Sequence, residues 1–321
     1  MNTKIILIIL GEPNSTFSEI LLKYFISKNF KKNKKKIVLI GSKKLFESQM
    51  KLLNYKINLN KIDDLKDAIF KSINILNVDF NFKKVFSKIT KNSNEYIEKC
   101  FNLGLNLVRK YQIKILINGP VSKKSFLNKK FLGITEYVAK KTNSKSPVML
   151  IYNKQLSVSP LTTHVPIKNV SKYIQKKKIV QNVTKINNFY KKNLFKKPII
   201  GILGLNPHCE TVSKISEEDK EIIQAIKLLK QKKIKVSGPF PADTFFTKKN
   251  IESYDVVVGM YHDQVLTPIK LLFEFEAINL TIGLPFIKIT PDHGPNYSMI
   301  GKNNSDPSSI FCAFNFIKNI K

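Results

Sequence analysis

The sequence predicts an α/β fold in which a largely parallel sheet is covered by helices on both faces. Three observations carry this. Short runs that are apolar throughout recur along the chain, as strands buried on both faces require. Longer amphipathic segments separate them, which is the alternation of a parallel α/β sheet. Several later runs lead at once into clusters of polar and turn residues, and in open α/β sheets ligands bind beyond the carboxyl ends of the strands.

In chain order the first strand is expected over Lys4–Leu10, followed by a helix over Thr16–Ser27 and a strand over Lys36–Ile40. The stretch Asn54–Asn94 has little periodicity and receives no assignment. A helix over Glu95–Tyr111 leads into a strand over Ile113–Ile117, and Val148–Tyr152 is another strand. A helix over Val170–Tyr190 precedes a strand over Pro198–Leu203. The next helix, Ser216–Gln231, opens on Ser216-Glu217-Glu218-Asp219, a capping hydroxyl followed by acids at the positive end of the helix dipole. Strands over Asp255–Gly259 and Ala277–Thr281 and a helix over Pro307–Ile320 complete the pattern.

The 321 residues carry 55 basic and 23 acidic side chains, a formal charge of +32. At face value this points to a polyanion partner. Yet Arg109 is the only arginine, whereas specific nucleic-acid sites lean on arginine's bidentate fork. Together with the abundance of Ile, Asn and Phe, this marks the charge as codon composition on a solvated surface, and no nucleic-acid partner is expected. A hydrophobic fraction of 43% excludes a disordered chain. Three widely spaced cysteines without a CxxC imply neither a disulfide framework nor a zinc ribbon. No apolar run reaches the ~20 residues that span a bilayer. The run Ile5–Leu10 is too short for a secretion signal. A cytoplasmic location without membrane contact is expected.

All four histidines, His164, His208, His262 and His293, fall in turn-rich polar clusters. Three imidazoles with an open position suit zinc or another transition metal that polarises an oxygen. The spacings are long, however, and satisfied or surface histidines remain an alternative at this level. Asp243, after the turn-rich Gly238–Ala242, is a candidate fixed carboxylate. Lys270 and Lys288 lie in the same loops, among 54 lysines that are surface residues by default. No Walker A, GxGxxG or GxSxG pattern is present.

Read in order, the clusters resemble the 4-hydroxythreonine-4-phosphate dehydrogenase (PdxA) family. The matching segments are Asn118–Lys123 (NGPVSK), Gly133–Ala139 (GITEYVA), Leu161–Val170 (LTTHVPIKNV) and Gly204–Glu210 (GLNPHCE). They continue with Gly238–Phe246 (GPFPADTFF), Met260–Gln264 (MYHDQ), Ile278–Lys288 (INLTIGLPFIK) and Asp292–Gly294 (DHG). The resemblance implies a two-domain fold like that of the isocitrate and isopropylmalate dehydrogenases, with parallel or mixed sheets flanked by helices. Residues 1–128 with 277–321 would form the first domain and 129–276 the second, which would carry most metal and dimer contacts. It also implies a homodimer with shared active sites.

The implied reaction is an NAD- or NADP-dependent oxidation of 4-phosphooxy-L-threonine to a β-keto acid. That acid decarboxylates to 3-amino-2-oxopropyl phosphate, in vitamin B6 biosynthesis. By the family pattern His164, His208 and His262 would bind a divalent ion (zinc, magnesium or cobalt), and Thr135, Lys270, Asn279 and Lys288 would contact the phosphorylated substrate. Asp243 is the candidate for proton handling, with a role in capping a following helix as the alternative.

The chain departs from the pattern in places. Ile134 stands where the family usually has histidine, Lys288 where it has arginine, and Gly11–Glu19 where it has a glycine-rich segment. Val265 and Pro295 replace the last residues of DQG and HGT. Two other readings follow from these departures: a related metal- and NAD-dependent dehydrogenase acting on another phosphorylated hydroxy acid, favoured by Ile134, and a catalytically degenerate dimer that binds polyanions.

Overall fold

The computed structural model describes residues 2–122, 125–127, 131, 133–211, 216–291 and 294–320. Lys123, Asp292 and His293 lie outside the described residues. The chain divides into two compact units, residues 1–145 with 284–318 and residues 146–283 with 319–321. The expected boundaries at 128 and 277 differ from these. The helix over 134–141 groups with the first unit, and the strand over 278–282 with the second.

The first unit opens with β1 (Asn2–Ile9), α1 (Phe17–Phe25), the single turn α2 (Lys28–Lys31), β2 (Lys36–Gly41) and α3 (Lys43–Leu52). It continues with β3 (Leu59–Ile62), β4 (Ile73–Asn77), α4 (Lys91–Lys110), β5 (Ile113–Asn118) and α5 (Ile134–Lys141). Its strands run β3-β4-β2-β1-β5 with Ile287–Pro291 at the end of the row, and every pairing is parallel. Side chains from β1, β2, α4 and α5, including Leu7, Val38, Ile97, Phe101 and Val138, form one buried cluster. Helix α4 starts in a reciprocal capping box between Thr90 and Ser93, which satisfies two otherwise orphan N–H groups.

The second unit holds β6 (Val148–Tyr152), β7 (Ser157–Thr162), α6 (Lys176–Phe189), β8 (Ile200–Leu203), α7 (Ile223–Gln231) and β9 (Val236–Phe240). The short α8 (Ala242–Phe245) and α9 (Lys248–Ser253), then β10 (Val256–Tyr261), α10 (His262–Phe273) and β11 (Ile278–Ile282), complete it. Its row is β11-β6-β7-β10-β8-β9. β6 runs antiparallel to both neighbours and the other pairings are parallel. The chain then returns to the first unit through β12 (Ile287–Pro291) and α11 (Ser308–Asn319), where Phe314 stacks on Tyr24 with ring centroids 3.8 Å apart.

The strands absent from the sequence reading contain polar residues satisfied inside the protein. Asn74 of β4 is fully buried, donating to Ile37 O and Ile69 O and accepting from Ile69 N and Asn60 Nδ2. In β7, Ser159 donates to Met149 O, while Ser157 donates to Asn153 O and accepts from Tyr190. The helix expected over Val170–Tyr190 is shorter at its start, where single 3₁₀ turns precede α6, and continues into a π-turn over Tyr190–Leu194. A second π-turn, Glu218–Ile222, leads into α7. Among the described residues no helix is long and apolar enough to cross a membrane.

Candidate functional site

In the second unit, β7, β10, β8 and β9 are adjacent and parallel, so their carboxyl ends open on the same side. His164 follows β7 by two residues, His262 follows β10 directly, His208 lies in the loop after β8, and Asp243 in the first turn after β9. Four residues separated by long stretches of sequence thus share one edge of a sheet.

Each loop is held by its own polar contacts. Thr162 Oγ1 donates to Met260 O at 2.7 Å and locks β7 to β10 two residues before His164. Gln264 accepts from Met260 N at 2.7 Å and donates to Gly204 O at 2.8 Å, tying the His262 turn to the His208 loop. The loop after β8 wraps the carboxylate of Glu218, which accepts from Leu205 N, Asn206 N and Asn206 Nδ2 at 2.7–2.9 Å. Burial alone would raise the Glu218 carboxyl, but these donors outweigh it and hold the group below its ordinary pKa. A Cβ at Gly204 would meet Cys209 Sγ at 2.6 Å and Glu218 Oε1 at 3.0 Å, so a larger residue there would displace the side chains that hold the loop. His208 and Cys209 both sit at positive φ, 55° and 62°, a strained pair that the clamp over-determines.

The His164 and His262 rings face each other with centroids 6.0 Å apart. His262 Nδ1 lies 2.7 Å from Asp263 Oδ1. An ionised carboxylate only accepts, so the ring proton is fixed on Nδ1 and the Nε2 lone pair is left for a Lewis acid, the usual arrangement of a metal-ligating histidine. His208 stands apart with Asp243, Nδ1 to Oδ2 3.8 Å, and both are well exposed. Among the described residues no three such groups are gathered at metal-holding distance. The donor chemistry and the His164–His262 approach fit a divalent ion, with His208 on the adjoining loop.

Asp243 lies inside the first turn of α8, while Pro241 occupies the capping position, so the capping alternative does not hold. Asn279 on β11 carries a buried Oδ1 with no hydrogen-bond partner among the described residues. Lys270 does not join the histidines of its own chain, since eight residues along α10 place it ~12 Å from His262. Its Nζ lies near Glu274 O and 5.5 Å from the Phe275 ring centre.

In the first unit Thr135 is buried in the opening turn of α5, beside Ile134, whose side chain packs against the apolar cluster. Lys288 of β12 is fully buried and donates to Thr290 Oγ1 at 2.8 Å, which in turn donates to Asn118 Oδ1 at 2.9 Å. Burial pushes the Lys288 amine down to about 7, against the opposing pull of Glu136.

A cleft of about 850 Å³ in this unit is lined by Lys84, Phe86, Lys88, Tyr297 and Ile300, with Ser122 at its side. The altered segment 11–19 braces its wall. Asn14 Oδ1 accepts from Ser87 N at 2.8 Å, and Asn14 Nδ2 donates to Lys88 O at 3.3 Å. Asn14 N donates to buried Glu12, whose carboxyl is raised to about 7 by burial, with the Asn14 and Ser93 hydrogen bonds acting in the opposite direction. Gln264, Glu136, Thr290 and Asn14 were not singled out from sequence, and Glu218 was read there only as an acid at a helix start. Gln264 and Glu136 lie inside matched segments and Thr290 between two of them, and that position was the available signal.

The family model described as "Pyridoxal phosphate biosynthetic protein PdxA" matches residues 33–317. A 4-hydroxythreonine-4-phosphate dehydrogenase of Sulfurihydrogenibium sp. is 38% identical over 309 residues, 94% of each chain. One from Aquifex aeolicus is 34% identical over 325 residues, covering 100% of this chain and 99% of the relative. The crystal structure of a 4-hydroxythreonine-4-phosphate dehydrogenase from Burkholderia phymatum superposes with a TM-score of 0.82 at 25% identity, covering 100% of this chain and 99% of the other.

Proposed function

The chain belongs to the PdxA family of pyridoxal phosphate biosynthetic proteins, and on that premise we propose that it oxidises 4-hydroxythreonine 4-phosphate in a metal- and nicotinamide-dependent reaction. The product is a β-keto acid that loses carbon dioxide to give 3-amino-2-oxopropyl phosphate. The observation that carries the proposal is the placement of His164, His208 and His262 at the carboxyl ends of the neighbouring strands β7, β8 and β10, with the His164 and His262 rings 6.0 Å apart and His262 Nδ1 2.7 Å from Asp263.

His164, His208 and His262 would hold a divalent ion, zinc, magnesium or cobalt. Such an ion would supply Lewis-acid polarisation of a substrate oxygen, and a bound nicotinamide would supply the hydride acceptor. Asp243, exposed and near His208, takes or relays the hydroxyl proton. Asn279 offers its unpaired Oδ1 to a substrate N–H or O–H. In the first unit Lys288 presents a cation to an anionic substrate group, held in direction by Thr290 and Asn118, and Thr135 adds a hydroxyl. The cleft beside Tyr297 and Ile300 would hold NAD or NADP, its apolar side chains suiting the rings and Lys84 and Lys88 the phosphates.

Lys270 serves the active site of a second copy in a homodimer. It is flanked by the exposed apolar side chains of Leu271, Leu272 and Phe275, which a second copy would cover. The enzyme works in the cytoplasm.

Ile134 favours a second reading, a related dehydrogenase acting on another phosphorylated hydroxy acid. An apolar side chain there donates no hydrogen bond to substrate. The Ile134→His variant separates the two: under the first reading it raises kcat/KM for 4-hydroxythreonine 4-phosphate, and under the second it leaves that substrate poor. The metal assignment is tested by calorimetric titration of zinc. The chain should bind one ion per subunit and His208→Ala should lose it; unchanged affinity in that variant contradicts the assignment.

A further inference from the structure

The first unit carries a second cleft, of about 630 Å³, lined by none of the residues assigned above to metal, substrate or cofactor; of the matched segments only Pro285 and Phe286 reach it. Its walls are the last turns of α4 and α5, the first residue of β5, and the Pro285-Phe286 pair. It therefore opens at the amino end of β5, whereas Asn118, the partner of Thr290, ends that strand five residues on, ~16 Å away. The volume lies in the range of small-molecule sites.

The lining has a consistent chemistry. Leu105, Val108, Ile113 and Phe286 supply an apolar floor, and side-chain amides, among them Asn106 and Asn143, stand along the rim. Two cations, Arg109 and Lys141, line it, and no acidic side chain does. Lys141 is spoken for, 3.2 Å from Glu98. Arg109 is not: it donates to the neutral Asn106 Oδ1 at 2.8 Å, and among the described residues no carboxylate lies within ion-pair distance. The carbonyls ending α4 and α5 add partial negative charge that the two cations offset, so the cations also stabilise the helix ends. The guanidinium keeps further N–H donors in its planar fork, which suits an acid group bound through two oxygens, carboxylate or phosphate.

We propose that this cleft is a ligand site for a planar heteroaromatic anion, with the ring on the apolar floor, its edge read by the rim amides and its acid group on Arg109. The site is distinct from the residues assigned to the reaction, and its test requires no turnover.

Because Arg109 is the only arginine, protein labelled with ¹⁵N-arginine gives a single side-chain Nε–H resonance placed in the cleft. Pyridoxine 5′-phosphate is a suitable probe: a pyridine ring with a phosphate and no aldehyde to react with the lysines. The resonance should shift saturably with a Kd below about 1 mM. The shift should persist in Lys288→Met and vanish in Asn106→Trp, which fills the cleft while keeping the reporter. An unmoved resonance, a shift that survives Asn106→Trp, or an equal response to inorganic phosphate alone would each overturn the proposal.

Discussion

Two buried titratable side chains set opposite pH dependences, and both are accessible to single substitutions. Lys288 is pushed down from 10.5 to about 7, so between those values the unfolded chain binds more protons than the folded one. Its contribution to stability is therefore least below pH 7 and recovers as pH rises toward 10.5. Lys288→Met should raise stability at pH 6 by on the order of 2–4 kcal/mol, discounted from the full shift for relaxation around the amine. The gain should shrink toward pH 10, measured by urea denaturation, while activity is lost. Glu12 is raised from 4.5 to about 7, so its contribution is present below pH 4.5 and is lost as pH climbs through 7. Glu12→Gln should match the parent at pH 4 and exceed it at pH 8 by on the order of 2 kcal/mol. Neither environment was legible in the sequence. The matched segment marked Lys288 but not its burial, which among the 54 lysines only tertiary packing decides, and the burial of Glu12 comes from chain that is distant in sequence, Ser42, Gln49 and Tyr96 among its neighbours.

At the scale of elements, the loop after β8 is a strained segment clamped by one carboxylate. Glu218→Ala removes the acceptor of three donors and releases the positive-φ pair His208-Cys209. It should lower kcat by at least about tenfold, since small displacements of a positioned group are costly, and zinc affinity should fall with it while the far-UV circular dichroism stays unchanged. What the sequence showed at this scale follows burial. Uniformly apolar strands such as Val148–Tyr152 were readable, and the polar loops behind them carried recognisable family segments. Strands β4 and β7 were not readable, because Asn74, Ser157 and Ser159 resemble turn residues until their buried partners are known. Helix α10 was hidden for another reason: it begins on the site residues His262-Asp263-Gln264 and contains Pro268, both loop signals in isolation.

At the scale of the whole molecule, the +32 charge acts as a field. It favours the approach of a doubly anionic substrate, so kcat/KM should fall as ionic strength rises from about 0.05 to about 0.3 M while kcat is unchanged. Binding of random DNA should collapse over the same range, as counterion release requires of nonspecific contacts. The alternation of strands and helices conveyed the α/β class, and the ordered motifs conveyed the family. The placement of His164, His208 and His262 at one end of the sheet is a property of strand order, since β7, β10 and β8 are neighbours in space and far apart in sequence. The most direct test is the formation of reduced nicotinamide by the purified chain supplied with 4-hydroxythreonine 4-phosphate, NAD or NADP, and zinc, magnesium or cobalt. Substrate- and metal-dependent turnover that His208→Ala abolishes with the fold intact is the predicted result. Absence of turnover with every metal and cofactor tested, or full activity in His208→Ala, would contradict the account.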